Sequence, residues 1–271
     1  MKSFIIRTAT GIVFVGTLLA AMLYSNITFG ILFALIAGLA VNEFCNIIQE
    51  YKKTTFSTLL AVLGGIYLFF LFFASTNLNI GNITLLSLPY ILLVVYIFVR
   101  ELYRKEGGAL DNFAYFCLSQ VYAAIPFALL NIPATYNGTY HYILPLAIFV
   151  FLWSNDSGAY CIGCLFGKHK MFKRISPKKS WEGFAGGTAV AIIAGFIMSQ
   201  FFDILSTWQW MTMAAVVVAA GTLGDLIESC MKREAKIKDS GNILPGHGGI
   251  LDRFDSFILA TPCVVIFLYL L

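Results

Sequence analysis

Long apolar runs, at about 8–24, 27–48, 56–75, 83–100, 112–130, 141–165, 182–202, 208–230 and 254–271, follow one another with only short polar breaks. A backbone that crosses lipid must satisfy its own hydrogen bonds, which leaves helices or closed barrels. A helix needs about 20 apolar residues to span the hydrocarbon core, and these runs have that scale. They are continuous rather than alternating, which argues against a barrel. At 59% hydrophobic and a mean hydropathy of +0.82, no water-soluble core accounts for the chain. The expectation is an all-α integral membrane protein, a polytopic helical bundle of about nine transmembrane helices forming one membrane domain. Residues 1–140 read as N-terminal helices and residues 141–271 as the half that carries chemistry.

The cations set the orientation. All 18 Lys and Arg residues fall at 2–7, 52–53, 100–105, 168–179 and 232–253. The connections around 25–26, 76–82, 131–140 and 203–207 hold none. Cytoplasmic loops carry the Lys/Arg excess, so the N-terminus is expected inside and the C-terminus outside. Trp208 and Trp210 then stand where an outer aromatic belt would lie. The net charge of +4 reflects one basic membrane face, and no nucleic-acid-binding module accompanies it. The first segment pairs cations with an apolar run but lacks a small-x-small cleavage site, and it reads as an uncleaved helix. Cys161 and Cys164 have metal or redox spacing without a second ligand pair, and read as small residues on a buried helix.

Polarity returns abruptly near the C-terminus. Residues 229–255 hold five cations, four anions and four glycines in a chain that averages 12% charged. Carboxylates suit hard metal ions, Lys and Arg suit phosphate, and glycines let a backbone approach an anion. Together at a membrane surface they point to phosphoryl or nucleotidyl chemistry. Asp225, Glu228 and Ser229 share one helical face at i, i+3 and i+4. Asp225 reads either as a metal ligand or as the partner of a loop cation, with Glu228 then paired to Lys232. Asp252 and Asp255, also i, i+3, could aim at one ion or cap a helix start. Gly246, Gly248 and Gly249 can present consecutive N–H groups to an anion beside Lys238 and Arg253. His247 reads as a phosphate donor or as a turn-stabilising side chain. In the other basic segment Ser180 suits an N-cap, with Lys178 and Lys179 before that helix end. Asn155 and Asp156 lie about 15 Å inside the sixth run at 1.5 Å per residue, a depth that requires a polar cavity. Asn42 and Glu43 form a fainter polar site.

The run Ser229-x-Met231-Lys232-Arg233-x4-Lys238-Asp239-x-Gly241-x2-Leu244-Pro245-x-His247-Gly248-Gly249-Ile250-x-Asp252-Arg253-Phe254-Asp255 resembles the signature of the phosphatidate cytidylyltransferases (CDP-diacylglycerol synthases) at every fixed position. The resemblance extends to Ser176-Pro177-Lys178-Lys179-Ser180-Trp181-Glu182-Gly183 and to Asn155-Asp156-Ser157-Gly158-Ala159-Tyr160, covering about the last 120 residues. Cys164 departs from it, standing where that family carries a basic residue. The resemblance implies an enzyme that condenses CTP with phosphatidate, giving CDP-diacylglycerol and pyrophosphate. It implies Asp225, Asp252 and Asp255 as ligands of Mg²⁺, with a second, monovalent cation left open. It further implies Lys232, Arg233, Lys238, Asp239, His247, Gly248, Gly249 and Arg253 around CTP, and Ser176, Lys178, Lys179 and Asp156 around the lipid phosphate. The implied setting is a bacterial-type cytoplasmic membrane with the site facing the cytoplasm, and a homodimer. Phosphatidate brings its own ionised nucleophile, and no Ser-His-Asp or Cys-His system stands in the sequence. Two other classes share some of these features. A CTP-dependent lipid-alcohol kinase would differ in its products, and a secondary transporter would show inverted repeats with broken helices in both halves.

Overall fold

The computed structural model describes residues 2–78, 82–105, 108–243, 246 and 248–271, with side chains from residue 8 onward. Its helices are α1 (Lys2–Tyr24), α2 (Asn26–Lys52), α3 (Thr58–Asn77), α4 (Ile83–Leu102), α5 (Ala109–Ala134), α6 (Ile143–Phe166), α7 (Trp181–Ser199), α8 (Thr207–Glu234) and α9 (Leu251–Tyr269). Seven of them, α2 to α8, are long and apolar enough to cross a membrane. The described side chains of α1 give a shorter apolar stretch, Thr8–Tyr24, and α9 opens on three charges, Asp252, Arg253 and Asp255. The protein is thus a helical integral membrane protein; among the described residues seven helices have the length and composition of a span, where the apolar runs suggest nine.

Helix starts follow local side-chain chemistry. Ser25, Ser57, Asn82, Ser180 and Ser206 each accept a hydrogen bond from a first-turn N–H of α2, α3, α4, α7 and α8 respectively. Such caps satisfy donors that a helix end leaves without partners. α5 is interrupted: Gln120–Ala124 winds as a wider π turn, and Pro126 and Pro133 reset the chain after it.

The helical expectation holds, with one short addition. Between α6 and α7 lies a two-stranded antiparallel hairpin, β1 (Lys170–Phe172) and β2 (Ser176–Ser180), with Lys170 opposite Ser180 and Phe172 opposite Ser176. Strands this short, rich in lysine and broken by Pro177, carry no alternating pattern for a sequence reading to find.

The chain forms two compact units. The first comprises residues 1–140 and 237–253, the second residues 141–236 and 254–271. Residues 237–253 thus fall in the same unit as the N-terminal helices. In the first unit α2 packs on α3 through Phe29, Phe33 and Phe69, all fully buried. Gln120 of α5 donates to the Ala61 carbonyl of α3 at 3.0 Å, and the Tyr140 hydroxyl donates to the Met22 carbonyl at 2.7 Å. Burial raises the Tyr140 hydroxyl above its ordinary pKa, which keeps it a donor.

In the second unit small residues let backbones meet. A Cβ on Gly187 of α7 would collide with the side chain of Asn155 on α6, and one on Gly195 would lie 2.9 Å from the Trp210 carbonyl of α8. Close approach through small residues is the usual packing device between helices in lipid. Trp210 itself corrects the aromatic-belt reading: it is fully buried, its indole N–H donating to the Phe202 carbonyl at 3.0 Å, whereas Trp208 is exposed. Cys161 and Cys164 are also corrected, since both are exposed on α6 instead of buried.

Candidate active site

The second unit assembles a cationic cavity. α6 supplies Asn155, Asp156, Ala159 and Tyr160, and the hairpin supplies Met171, Lys178, Lys179 and Ser180. Gly183 and Phe184 of α7 and Thr222 of α8 close a volume of about 200 Å³. The hairpin is fixed at its base. The Trp181 N–H donates to the His169 carbonyl at 2.9 Å, and Glu182 accepts from the His169 N–H and lies 2.6 Å from its Nδ1. Ser180 caps α7, so the two lysines stand immediately ahead of a positive helix end.

Lys179 joins this cavity to α8. Its ammonium lies 2.5 Å from Asp225 Oδ2, while the Ser229 hydroxyl donates to Asp225 Oδ1 at 3.1 Å. One turn on, Lys232 pairs with buried Glu228 at 3.2 Å. The pairing alternative for these acids is therefore realised in the structure, with Asp225 bound to a basic residue of the hairpin. Asp255 lies within electrostatic range of Asp225, Lys232 and Asp156, so the carboxylates and the ammonium groups share one polar region of the unit. A helical-face approach makes this possible: a Cβ on Gly224 would be 2.5 Å from the Asp255 carbonyl.

Among the described residues, no three His, Cys, Asp or Glu side chains are gathered as a ready metal set. Mg²⁺ does not need three, since one or two carboxylates with water and substrate phosphates complete its shell. Asp225 and Asp255 are two hard oxygen donors within electrostatic range of each other, and a cation already sits on Asp225 in the form of Lys179. The donor chemistry fits the ion.

The first unit contains the glycine-rich loop. Gly246 and Gly248 take left-handed backbone angles, φ +76° and +84°. Asp252 Oδ2 accepts from the Ser240 and Gly249 N–H groups at 2.9 and 2.8 Å. Asp252, in the first turn of α9, thus braces the loop that precedes the helix. Buried Glu43 of α2 accepts from the Ile250 and Leu251 N–H groups, each at 2.9 Å, and from the Ser240 hydroxyl at 3.2 Å. Lys238, Asp239 and Arg253 are exposed around this loop. His247 lies outside the described residues, as do Leu244 and Pro245.

The predicted residues thus sort by unit. Asp156, Lys178 and Lys179 line the cavity, with Asp225, Lys232 and Asp255 associated with it; Ser176 lies on β2 outside the lining and Arg233 is exposed at the end of α8. Lys238, Asp239, Gly248, Gly249, Asp252 and Arg253 belong to the first unit. The participants not singled out from sequence are Thr222, Met171, Ser240 and the His169–Glu182 clamp. Glu43 was visible only as an acid inside an apolar run, which is itself a functional signal.

Comparison with known proteins decides the family. The profile described as the Cytidylyltransferase family matches residues 5–271. This chain belongs to that family. The match includes the N-terminal helices, beyond the C-terminal stretch in which the motifs alone carry the resemblance. Relatives in the cytidylyltransferase family include a phosphatidate cytidylyltransferase of Staphylococcus saprophyticus, 34% identical over 97% of this chain and 98% of the relative. A phosphatidate cytidylyltransferase of Staphylococcus aureus is 33% identical over the same shares. One from Staphylococcus haemolyticus is 40% identical over 70% of each chain.

Proposed function

We propose that this protein is a phosphatidate cytidylyltransferase. The observation that carries the reading is the Lys178–Lys179 hairpin facing a membrane-helix cavity, with Lys179 bound to Asp225, in a chain of the cytidylyltransferase family. Both substrates are polyanions, and their mutual repulsion is the first obstacle to reaction. Lys178 and Lys179 hold the lipid phosphate and offset its charge. The glycine loop, with Lys238 and Arg253, holds the triphosphate through N–H groups and side-chain cations. A phosphatidate oxygen then bonds to the α-phosphorus of CTP, the α–β P–O bond breaks, and pyrophosphate leaves with that electron pair. No protein nucleophile is needed, because the attacking phosphate is already ionised.

Asp225 and Asp255 would hold Mg²⁺, which supplies charge neutralisation at the phosphates and at departing pyrophosphate. Asp225 is also the counter-charge that keeps Lys179 oriented. The test is turnover by purified protein in micelles containing phosphatidate. With CTP and Mg²⁺, CDP-diacylglycerol and pyrophosphate form in equal amounts. EDTA abolishes both, and thiol alkylation leaves both nearly unchanged because no cysteine takes part. Strong inactivation by a thiol reagent, prevented by substrate, contradicts that assignment.

The site opens to the cytoplasm, where CTP is found, and the N-terminus lies on the same side. With α1 and α9 counted beside α2 to α8, nine spans would place Lys173 and Lys236 inside and Asn137 outside. Single cysteines at these positions, in a protein lacking its six native thiols, are expected to label from those sides. Labelling of positions 236 and 137 from one side overturns the topology. A homodimer is part of the same reading.

A further inference from the structure

Glu43 is a buried acid of the N-terminal helices that the mechanism above does not use, and it is engaged by three donors about 200 positions away in sequence. It lies ten residues inside α2 and is 4% exposed. Its Oε1 accepts from the Ile250 N–H and its Oε2 from the Leu251 N–H, each at 2.9 Å. Oε2 also takes the Ser240 hydroxyl at 3.2 Å. Ser240 links this carboxylate to the second brace, because its hydroxyl accepts from the Asp252 N–H and its own N–H donates to Asp252 Oδ2. The glycines are shaped around the same acid: a Cβ on Gly241 would lie 2.6 Å from Glu43 Oε1, and one on Gly249 would collide with Glu43 Oε2.

We propose that Glu43 is a positioning residue, which from the second helix holds the glycine-rich loop in the shape that receives the nucleotide phosphates; this rests on the cytidylyltransferase reading above. Both carboxylate oxygens act as acceptors, so a glutamine cannot substitute. Its amide NH₂ would face an N–H, leaving two donors opposed in a buried place. A carboxylate here also lies next to the first N–H groups of α9, where negative charge is favoured. The role is indirect, since Glu43 acts through the loop backbone and touches no substrate. It also accounts for the grouping of residues 237–253 with helices so distant in sequence.

The experiment compares Glu43→Gln and Ser240→Ala with the wild-type protein in micelles, by kinetics and by limited trypsin digestion. Ser240→Ala removes the hydroxyl bridge without touching the buried charge, and so reports even if Glu43→Gln does not fold. In Glu43→Gln the KM for CTP is expected to rise about 10-fold or more while the KM for phosphatidate stays within about 2-fold, with Ser240→Ala showing the same split to a smaller extent. Cleavage after Lys236 and Lys238 should accelerate in both variants, and cleavage after Lys173 in the hairpin should not. Equal rises in both KM values, faster cleavage with an unchanged KM for CTP, or wild-type behaviour in both variants each overturn the proposal. If the wild-type protein forms no CDP-diacylglycerol, the functional reading fails, and the digestion still shows whether Glu43 holds the loop.

Discussion

Asp225→Asn is expected to lower kcat by about 1,000-fold or more, a loss of ~4 kcal/mol of transition-state stabilisation at 1.36 kcal/mol per decade. The side chain keeps its size and loses its charge, and three consequences follow together. Lys179, 2.5 Å away, loses the counter-charge that orients it toward the cavity. Asp255 is left as the remaining carboxylate of the two, which removes one of the two ligands proposed for Mg²⁺. The Ser229 hydroxyl, now bonded to Oδ1, can still find an amide oxygen, so local structure should persist. Thermal unfolding in detergent should therefore stay close to wild type while turnover at saturating Mg²⁺ collapses. Near wild-type kcat would remove Asp225 from the chemistry and leave its contact with Lys179 as structural only.

Gly249→Ala should be nearly as severe for a different reason. The added Cβ would fall among the Ser240 hydroxyl, Glu43 Oε2 and the Gly241 N–H; the side chains could yield only by giving up their hydrogen bonds to each other and to the loop, and the Gly241 N, at 2.7 Å, is backbone that no rotamer change relieves. The loop must move, and it carries the Asp252 and Glu43 hydrogen bonds with it. Overpacking of this kind costs about 1–3 kcal/mol. Here that cost falls on a segment of few residues, so local displacement is favoured over global unfolding. The expected result is a loss of CTP turnover of about 100-fold with helical content retained, measured by kinetics and far-ultraviolet circular dichroism. Unchanged kinetics would show that the loop geometry is not required for nucleotide use.

The helices were legible because lipid imposes a length and a composition on any span, and α2 to α8 carry both openly. α9 was legible as an apolar run, but Asp252, Arg253 and Asp255 occupy its first turns, so composition alone does not mark it as a span. The hairpin was hidden because its strands are three and five residues long and are held by backbone pairing and the His169–Glu182 clamp, with no apolar face. At the site, Lys178, Lys179, Asp156 and Asp225 were legible as charges in or beside apolar runs, and the structure brings them into one unit. The loop-bracing contacts of Asp252 were not, since the same i, i+3 spacing with Asp255 serves an ion or a helix cap equally well. Glu43 could not be tied to the loop from sequence, because nothing local connects α2 to Ser240 and Leu251. Trp210 was misread for a related reason: a tryptophan near a helix start looks interfacial until its indole N–H is seen to reach the Phe202 carbonyl.

The central claim is that the nucleotidyl group, and not the terminal phosphoryl group, moves to the lipid. The direct measurement follows two forms of CTP, labelled at the α- or the γ-phosphorus, incubated with the purified protein, phosphatidate and Mg²⁺. Cytidylyl transfer places the α-label in the lipid fraction and the γ-label in pyrophosphate, in equal amounts. Recovery of the γ-label in lipid with CDP as the soluble product, or no labelled lipid from either form, contradicts the account.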